Sequence, residues 1–276
     1  VRAVILTNPQ GNQIALVNKL IPHIEIAAVI FSKNIPRRKP TTTARAKTLA
    51  NRIAGRLTTT EFRDTWNQML AVYSELYPTI PVEHSVYVEN INEEATLAAI
   101  NQYSPDLVLV SGTNIVGSRV IDAAHRSGKI MNLHTGISPY VKGGPNCTNW
   151  CLAKGWFHLI GNTTMWIDKG IDTGNIIATE RTPLDGGESL FDLHWKVMEH
   201  AHDLYLRSVR RFAAGSLLPD ISQASIAKGE LFSTSQWTSS AMKSALGNFK
   251  RDFVEYFSES MSDASADVKL FPLEDD

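Results

Sequence analysis

Three polar residues set in apolar or glycine-flanked surroundings could act on one reacting centre. Asn132 and His134 lie in the run Ile130-Met131-Asn132-Leu133-His134, and Asp172 in the turn Lys169-Gly170-Ile171-Asp172-Thr173-Gly174. Side chains alternate faces along a strand, so an Asn and a His separated by one residue emerge on the same side. An amide and an imidazole aimed at one point can stabilise a developing oxyanion, and a neighbouring carboxylate can hold the imidazole charged and help to move a proton. Taken singly, each is an ordinary feature: a lone His at a strand end usually serves structure, and Asp-x-Gly is a common turn. The chemistry rests on their combination and order.

The elements that must present them follow from patterning. Residues 1–6 read as a buried strand, 12–20 as a helix and 24–31 as a second strand, a doubly wound opening. The intervening loop has one glycine, Gly11, and no Gly-x-Gly-x-x-Gly, so a dinucleotide fingerprint is absent. Residues 43–55 and 60–77 have helical spacing, the second with Phe62, Trp66, Leu70 and Tyr73 on one stripe that either packs on the body or walls an acceptor pocket. A strand at 82–88, a helix at 93–103, the clearest buried strand at 105–112 and a helix at 120–127 lead to the strand carrying Asn132 and His134. Residues 163–168 and 176–181 read as two more strands.

Ser189 with Asp192 behind it resembles a capping box opening a long helix, with Leu190, Leu193, Val197, Ala201, Leu204 and Phe212 as its stripe and Gly215 as its stop. His194, His200 and His202 sit on it; the last two point to different faces, which argues against a shared metal. The fold class is α/β: a doubly wound, mostly parallel sheet flanked by helices, comprising a domain over 1–215 and a short C-terminal extension over 216–276. Within that extension 241–257 reads as one more helix. Ligands of open parallel sheets bind beyond the strands' carboxyl ends, so 111–115 and 132–136 are expected to share a cleft.

Composition narrows the partners. A formal net charge of -1 over 276 residues gives no electrostatic case for nucleic acid or membrane. The basic cluster Arg37-Arg38-Lys39 is short and near a proline, as in an exposed loop. There is no run of the roughly 20 apolar residues needed to cross a bilayer and no leader-like start, so a cytoplasmic protein is expected. The two cysteines, Cys147 and Cys151, are too few for a disulfide framework or a zinc site and read as buried thiols on one helix face.

In order and spacing these motifs resemble the folate-dependent formyltransferases, whose members share Asn-x-His, a Pro- and Gly-containing loop, a Gly-x-Thr strand and then Asp-x-Gly. Here they are Asn132-Leu133-His134, Ser138-Pro139 through Gly143-Gly144, Gly161-Asn162-Thr163 and Asp172-Thr173-Gly174. The resemblance implies a formyltransferase-like Rossmann-type fold and transfer of a formyl group from 10-formyltetrahydrofolate to a primary amine without a metal. It gives Asn132, His134 and Asp172 catalytic roles. Gly112, Thr113 and Ile115, together with Asp168, Gly170 and Ile171, become the residues expected to line the cofactor pocket.

One departure bears on the amine. Many members, glycinamide ribonucleotide transformylase and methionyl-tRNA formyltransferase among them, read His-Pro-Ser-Leu-Leu-Pro, where this chain reads His134-Thr135-Gly136-Ile137-Ser138-Pro139. Gly11-Asn12 only partly resembles the Gly-Asn pair that cradles the substrate phosphate in the former, and a plain helix-starting turn explains it equally. The short, acidic carboxyl-terminal segment disfavours tRNA. By resemblance to the sugar N-formyltransferases, the expected acceptor is a small-molecule amine, a nucleotide-linked amino sugar, with Tyr140, Asn146, Asn149 and Trp150 near it, although Trp150 also suits a helix core. A homodimer is left open. A formyltetrahydrofolate hydrolase, a glycinamide ribonucleotide-type transformylase and a catalytically silent binding module are the alternatives.

Overall fold

Short apolar runs separated by polar turns build the core of the protein, seen in a computed structural model that describes residues 1–34, 60–167, 174–258 and 267–273. The basic cluster Arg37-Arg38-Lys39, the helix expected at 43–55, the loop with Asp168, Gly170, Ile171 and Asp172, and the final acidic residues lie outside the described residues. In chain order the elements begin β1 (Arg2–Thr7), α1 (Gly11–Leu20), β2 (Glu25–Ser32), α2 (Glu61–Leu76), β3 (Ser85–Val88) and α3 (Glu94–Tyr103). They continue β4 (Leu107–Val110), α4 (Ser118–Ser127), β5 (Lys129–His134), β6 (Val141–Gly143), α5 (Cys147–Lys154), β7 (Gly161–Trp166) and β8 (Ile176–Arg181). The last are α6 (Leu190–Ala213), β9 (Glu230–Phe232), α7 (Ser239–Arg251) and α8 (Phe253–Ser258).

Seven strands form one sheet in the order β3-β2-β1-β4-β5-β7-β8. The pairs from β3 across to β5 are parallel, while β7 is antiparallel to both β5 and β8. Both faces of this sheet are covered. Ala3, Ile5, Leu109, Met131 and Leu133 pack on α1 and α6 through Leu16, Leu20, Ala201 and Tyr205. Val4, Leu6, Val108, Val110 and Ile130 pack on α3 and α4 through Leu97, Ile100, Val120 and Ala124. A strand buried on both faces has no use for alternation, which is why these segments read as unbroken apolar runs. Asn132 and His134 continue the row that Ile130 starts, past the point where apolar packing is needed.

The doubly wound, mostly parallel expectation therefore holds, with adjustments. The buried stripe of α2 runs through Phe62, Met69 and Tyr73, with Leu70 only half-buried, because successive turns of a 3.6-residue helix bring position 69 over 62. The capping box at Ser189 and Asp192 is present in both directions. The helix expected over 241–257 is two helices, α7 and α8, separated at Asp252. The break turns Phe253 into the core, with its ring centroid 5.5 Å from that of Phe157.

Beyond Gly215 the described chain stays against the body. Strand β9 pairs in parallel with β6, making a second, two-stranded sheet that the sequence did not announce. Phe232, Ala245, Leu246 and Phe253 share an apolar cluster with Trp150, Phe157 and Leu193. Phe271 bridges to Thr179 on the outer strand β8, and the Leu273 amide donates to Glu180 (3.0 Å). Burial would push the Glu180 carboxyl up, but hydrogen bonds from His200, Arg207 and that amide hold it down to about 2.

His200 and His202 point to different partners, as expected, and His194 to a third set. His194 lies edge-on to Phe62 and Trp66, His200 faces Glu180 (3.1 Å), and His202 approaches Lys19 (3.3 Å). Among the described residues no helix is long and apolar enough to cross a membrane.

Candidate active site

His134 ends β5 and is 8% exposed. Its Nε2 lies 3.1 Å from the Val141 carbonyl oxygen. A carbonyl can only accept, so Nε2 carries a hydrogen and donates it. The Cys147 sulfur sits 3.6 Å from the same nitrogen, with the Gly143 carbonyl 3.5 Å from the sulfur. Asn132, on the same strand face, is half-buried, and its side chain makes no hydrogen bond to another described residue. The Asn132 amide is left as a donor for a ligand, beside the oriented imidazole.

The loop after His134 is tied down from three directions. The Thr163 hydroxyl donates to the Gly136 carbonyl (2.6 Å) and accepts from the Ser138 amide (3.0 Å), so the Thr of Gly161-Asn162-Thr163 fixes the turn leaving His134. Strand β9 pairs with Val141 to Gly143 on another side. On the third, Asn146 caps α5 by accepting from the Asn149 amide (3.1 Å), and the Trp150 indole donates to the Gly144 carbonyl (3.1 Å). The packing at Gly136 leaves no room for a side chain: a Cβ there would lie 2.7 Å from His134 Nε2 and 2.8 Å from Cys147 Cβ.

Strand β4 runs beside β5 with Val110 opposite Asn132, so the loop holding Gly112, Thr113 and Ile115 leaves next to the Asn132 side chain. The Tyr205 hydroxyl, from α6, spans the two strands, accepting from the Val110 amide (3.0 Å) and donating to the Met131 carbonyl (2.8 Å). The loop itself is held by asparagines that the sequence reading passed over. Asn8 and Asn34 both donate to the Gly112 carbonyl (2.5 and 3.1 Å). The Thr113 hydroxyl and the Asn114 amide donate to Asn34 Oδ1 (3.3 and 2.8 Å). Asn114 Oδ1 accepts from Ser32 (3.0 Å) and its Nδ2 donates to Asn90 (3.1 Å), while Asn92 donates to the Ile115 carbonyl (2.9 Å). Ile115 itself is 61% exposed, an apolar side chain offered to whatever covers this loop. A signal existed: Asn8, Asn34, Asn90 and Asn114 each follow a strand within a few residues, where amides commonly tie loops.

The remaining candidates take structural places. The backbones of α1 and α2 meet at Gly11, where an added Cβ would strike the Leu70 carbonyl and Ser74. Asn12 is buried and directs its amide to Met198 (3.6 Å). The turn before α1 is thus packed against a helix, not open as a phosphate cradle. Trp150 is a core residue stacked on Phe232 at 4.3 Å, and the Tyr140 hydroxyl accepts from the Lys269 amide (2.8 Å). Cys147 and Cys151 are both buried and neither forms a disulfide.

Comparison with known proteins agrees with this geometry. The family described as Formyl transferase matches residues 30–209. The methionyl-tRNA formyltransferase of Clostridium perfringens is 26% identical over 146 residues, 51% of this chain and 46% of its own length. The chain thus spans less than half the length of the curated relatives it matches. Among solved structures, a sugar N-formyltransferase from a Shewanella species superposes with a TM-score of 0.52 at 14% identity, covering 86% of this chain and 78% of that one. Glycinamide ribonucleotide transformylase 1 from Symbiobacterium toebii gives 0.53 at 18% identity, covering 80% and 94%. At such identities the likeness to the solved structures is one of fold. The profile match, extending over most of the chain and across the strand that carries Asn132 and His134, places this protein in the formyl transferase family.

Proposed function

We propose that the protein transfers the formyl group of 10-formyltetrahydrofolate to a primary amine of a small-molecule acceptor. The observation that carries the reading is the pairing of Asn132 and His134 on one face at the end of β5, in a chain of this family. When the amine attacks, the formyl oxygen gains negative charge, and the Asn132 amide and a protonated His134 donate to it. Pre-aimed donors of this kind are worth about 3 kcal/mol each. In this reading Asp172 holds His134 charged and helps to carry the proton from the amine towards the departing nitrogen.

Reach permits that role. Past β7 the Ile167 amide still donates to the Ile130 carbonyl, so Asp172 would have to come back along β5 by the length from Ile130 to His134, about 13 Å. Five residues of chain can extend to about 17 Å. The donor's pocket is proposed at Gly112, Thr113 and Ile115, with Asp168, Gly170 and Ile171 opposite. A preset loop presenting an exposed Ile115 beside Asn132 suits a flat, partly apolar ring, and it contributes position, not charge.

For the acceptor we favour a nucleotide-linked amino sugar. The reading rests on the departure of Thr135-Gly136 from the His-Pro-Ser-Leu-Leu-Pro run, since sugar N-formyltransferases and glycinamide ribonucleotide transformylases are alike among the fold neighbours. The closed packing of Gly11 against α2 speaks against an acceptor whose phosphate would sit at the start of α1. Buried thiols outside any disulfide suit a reducing, cytoplasmic setting. The test is consumption of 10-formyltetrahydrofolate in the presence of nucleotide-linked amino sugars, glycinamide ribonucleotide, methionyl-tRNA or no amine. Turnover that requires an amino sugar is expected. Turnover without amine would instead identify a hydrolase, and donor binding without any turnover a silent module.

A further inference from the structure

We infer that Cys147 is a positioning residue for His134: together with the Val141 carbonyl it fixes the imidazole with hydrogen on Nε2, leaving Nδ1 as the nitrogen that gains and gives up the working proton. The inference rests on His134 being the acid of the proposed reaction. The geometry behind it is specific to this pocket. The Val141 carbonyl, 3.1 Å from Nε2, must be given a hydrogen, so Nε2 cannot accept one from the thiol. The thiol therefore directs its single hydrogen to a carbonyl, with Gly143 O 3.5 Å away and Val141 O 3.8 Å away, and turns a sulfur lone pair towards Nε2 at 3.6 Å.

Space is arranged for this meeting. A Cβ on Gly136 would lie 2.7 Å from Nε2 and 3.0 Å from the Cys147 sulfur, so the ring and the sulfur touch across a position that carries no side chain. Cys147 is also the first residue of α5, whose start is held by the Asn146 cap, so the sulfur sits on a fixed support. With the Nε2 hydrogen committed inward, any proton exchanged at neutral ring charge must come and go at Nδ1. A ring free to turn over would lose that assignment.

Cys151 supplies the contrast within the same helix. One turn further on and equally buried, its thiol donates to the Leu159 carbonyl (3.4 Å) among apolar neighbours, and burial pushes its pKa up. It is a packing thiol with its hydrogen directed away from His134.

The experiment pairs NMR of the histidine ring nitrogens in the substrate-free protein with the pH profile of kcat, for wild type, Cys147→Ala, Cys147→Ser and Cys151→Ala. His134 of the wild type is expected as the Nε2–H form, and Cys147→Ala as a mixture of both neutral forms. In that variant kcat should fall about tenfold with its acid limb displaced and both KM values unchanged, as for a misdirected catalytic group. Cys147→Ser should recover part of the loss, and Cys151→Ala should match wild type in profile and tautomer. A wild-type His134 with hydrogen on Nδ1 in its neutral form would overturn the inference, as would a Cys147→Ala protein with wild-type tautomer and profile. Should Cys147→Ala not fold, Cys147→Ser carries the test of the sulfur: a displaced acid limb with wild-type KM values supports its role, and a wild-type profile and tautomer overturn it. The NMR reading needs no turnover, so an absence of formyl transfer counts against the proposed function and not against the role of Cys147.

Discussion

At the carboxyl ends of β1 to β4 the loops are tied by side-chain amides that share targets and back one another up, whereas at the end of β5 the His134 ring nitrogen meets two groups of different chemistry, a carbonyl and a thiol. The Gly112 carbonyl receives hydrogens from both Asn8 and Asn34, and Asn114 is held through its backbone amide, its oxygen and its nitrogen. His134 Nε2 lies beside the Val141 carbonyl and the Cys147 sulfur, across a glycine that admits no Cβ. A loop that contributes shape tolerates the loss of one tie among several. A group that must offer a particular nitrogen to a reacting atom does not, because errors of about 1 Å in such groups cost roughly a hundredfold in rate.

The sharpest way to break this comparison is at Asn132. Asn132→Ala is expected to lower kcat between about a hundredfold and a thousandfold, as loss of an oxyanion donor does, with thermal unfolding little changed. Steady-state kinetics beside a melting curve check it, and a loss of less than tenfold would remove Asn132 from the chemistry.

A second histidine sharpens the contrast. His134 is proposed to work charged, while His194, buried beside Phe62 and Trp66, is held neutral, its pKa pushed by burial down to about 4 from 6.5. The unfolded chain therefore binds more protons between those values. Stability from this residue is full above about pH 6.5 and is lost as pH falls towards 4, by about 3 kcal/mol. Urea unfolding of wild type and His194→Leu across pH 4 to 7 should show a steeper fall in the wild type. Parallel curves would refute the assignment.

Smaller effects belong to the asparagine-tied loop. Asn114→Ala removes ties to Ser32 and Asn90 at once, and should raise the KM for 10-formyltetrahydrofolate about tenfold with kcat nearly unchanged. Asn8→Ala leaves Asn34 on the same carbonyl and should change that KM by less than about threefold, while the double substitution of Asn8 and Asn34 should cost more than the sum of the two. Additive effects would mean that the two amides do not share one task.

How far all this could be read in advance follows the same division. The parallel core was legible because burial on both sheet faces writes continuous apolar runs, and the α6 cap because Ser189 and Asp192 are local partners. The placement of Asn132 and His134 at the end of one strand, on one face, was legible from strand alternation. Cys147 was read only as a buried thiol, since its partner is His134 across a loop and no local pattern reports a contact of that range. The pairing of β9 with β6 escaped for the same reason: three-residue strands far apart in sequence carry almost no periodic signal. The asparagines were visible one by one as turn residues, but their shared target, the loop after β4, exists only in the fold.

The central claim is that His134 acts on the formyl group being transferred and does not merely hold the loop behind it. Single-turnover transfer of formyl from 10-formyltetrahydrofolate to a working acceptor, measured for wild type and His134→Ala alongside donor affinity, tests it most directly. The account predicts transfer slowed by at least about a hundredfold with donor affinity within a few-fold of wild type. Transfer at the wild-type rate in the variant would contradict it.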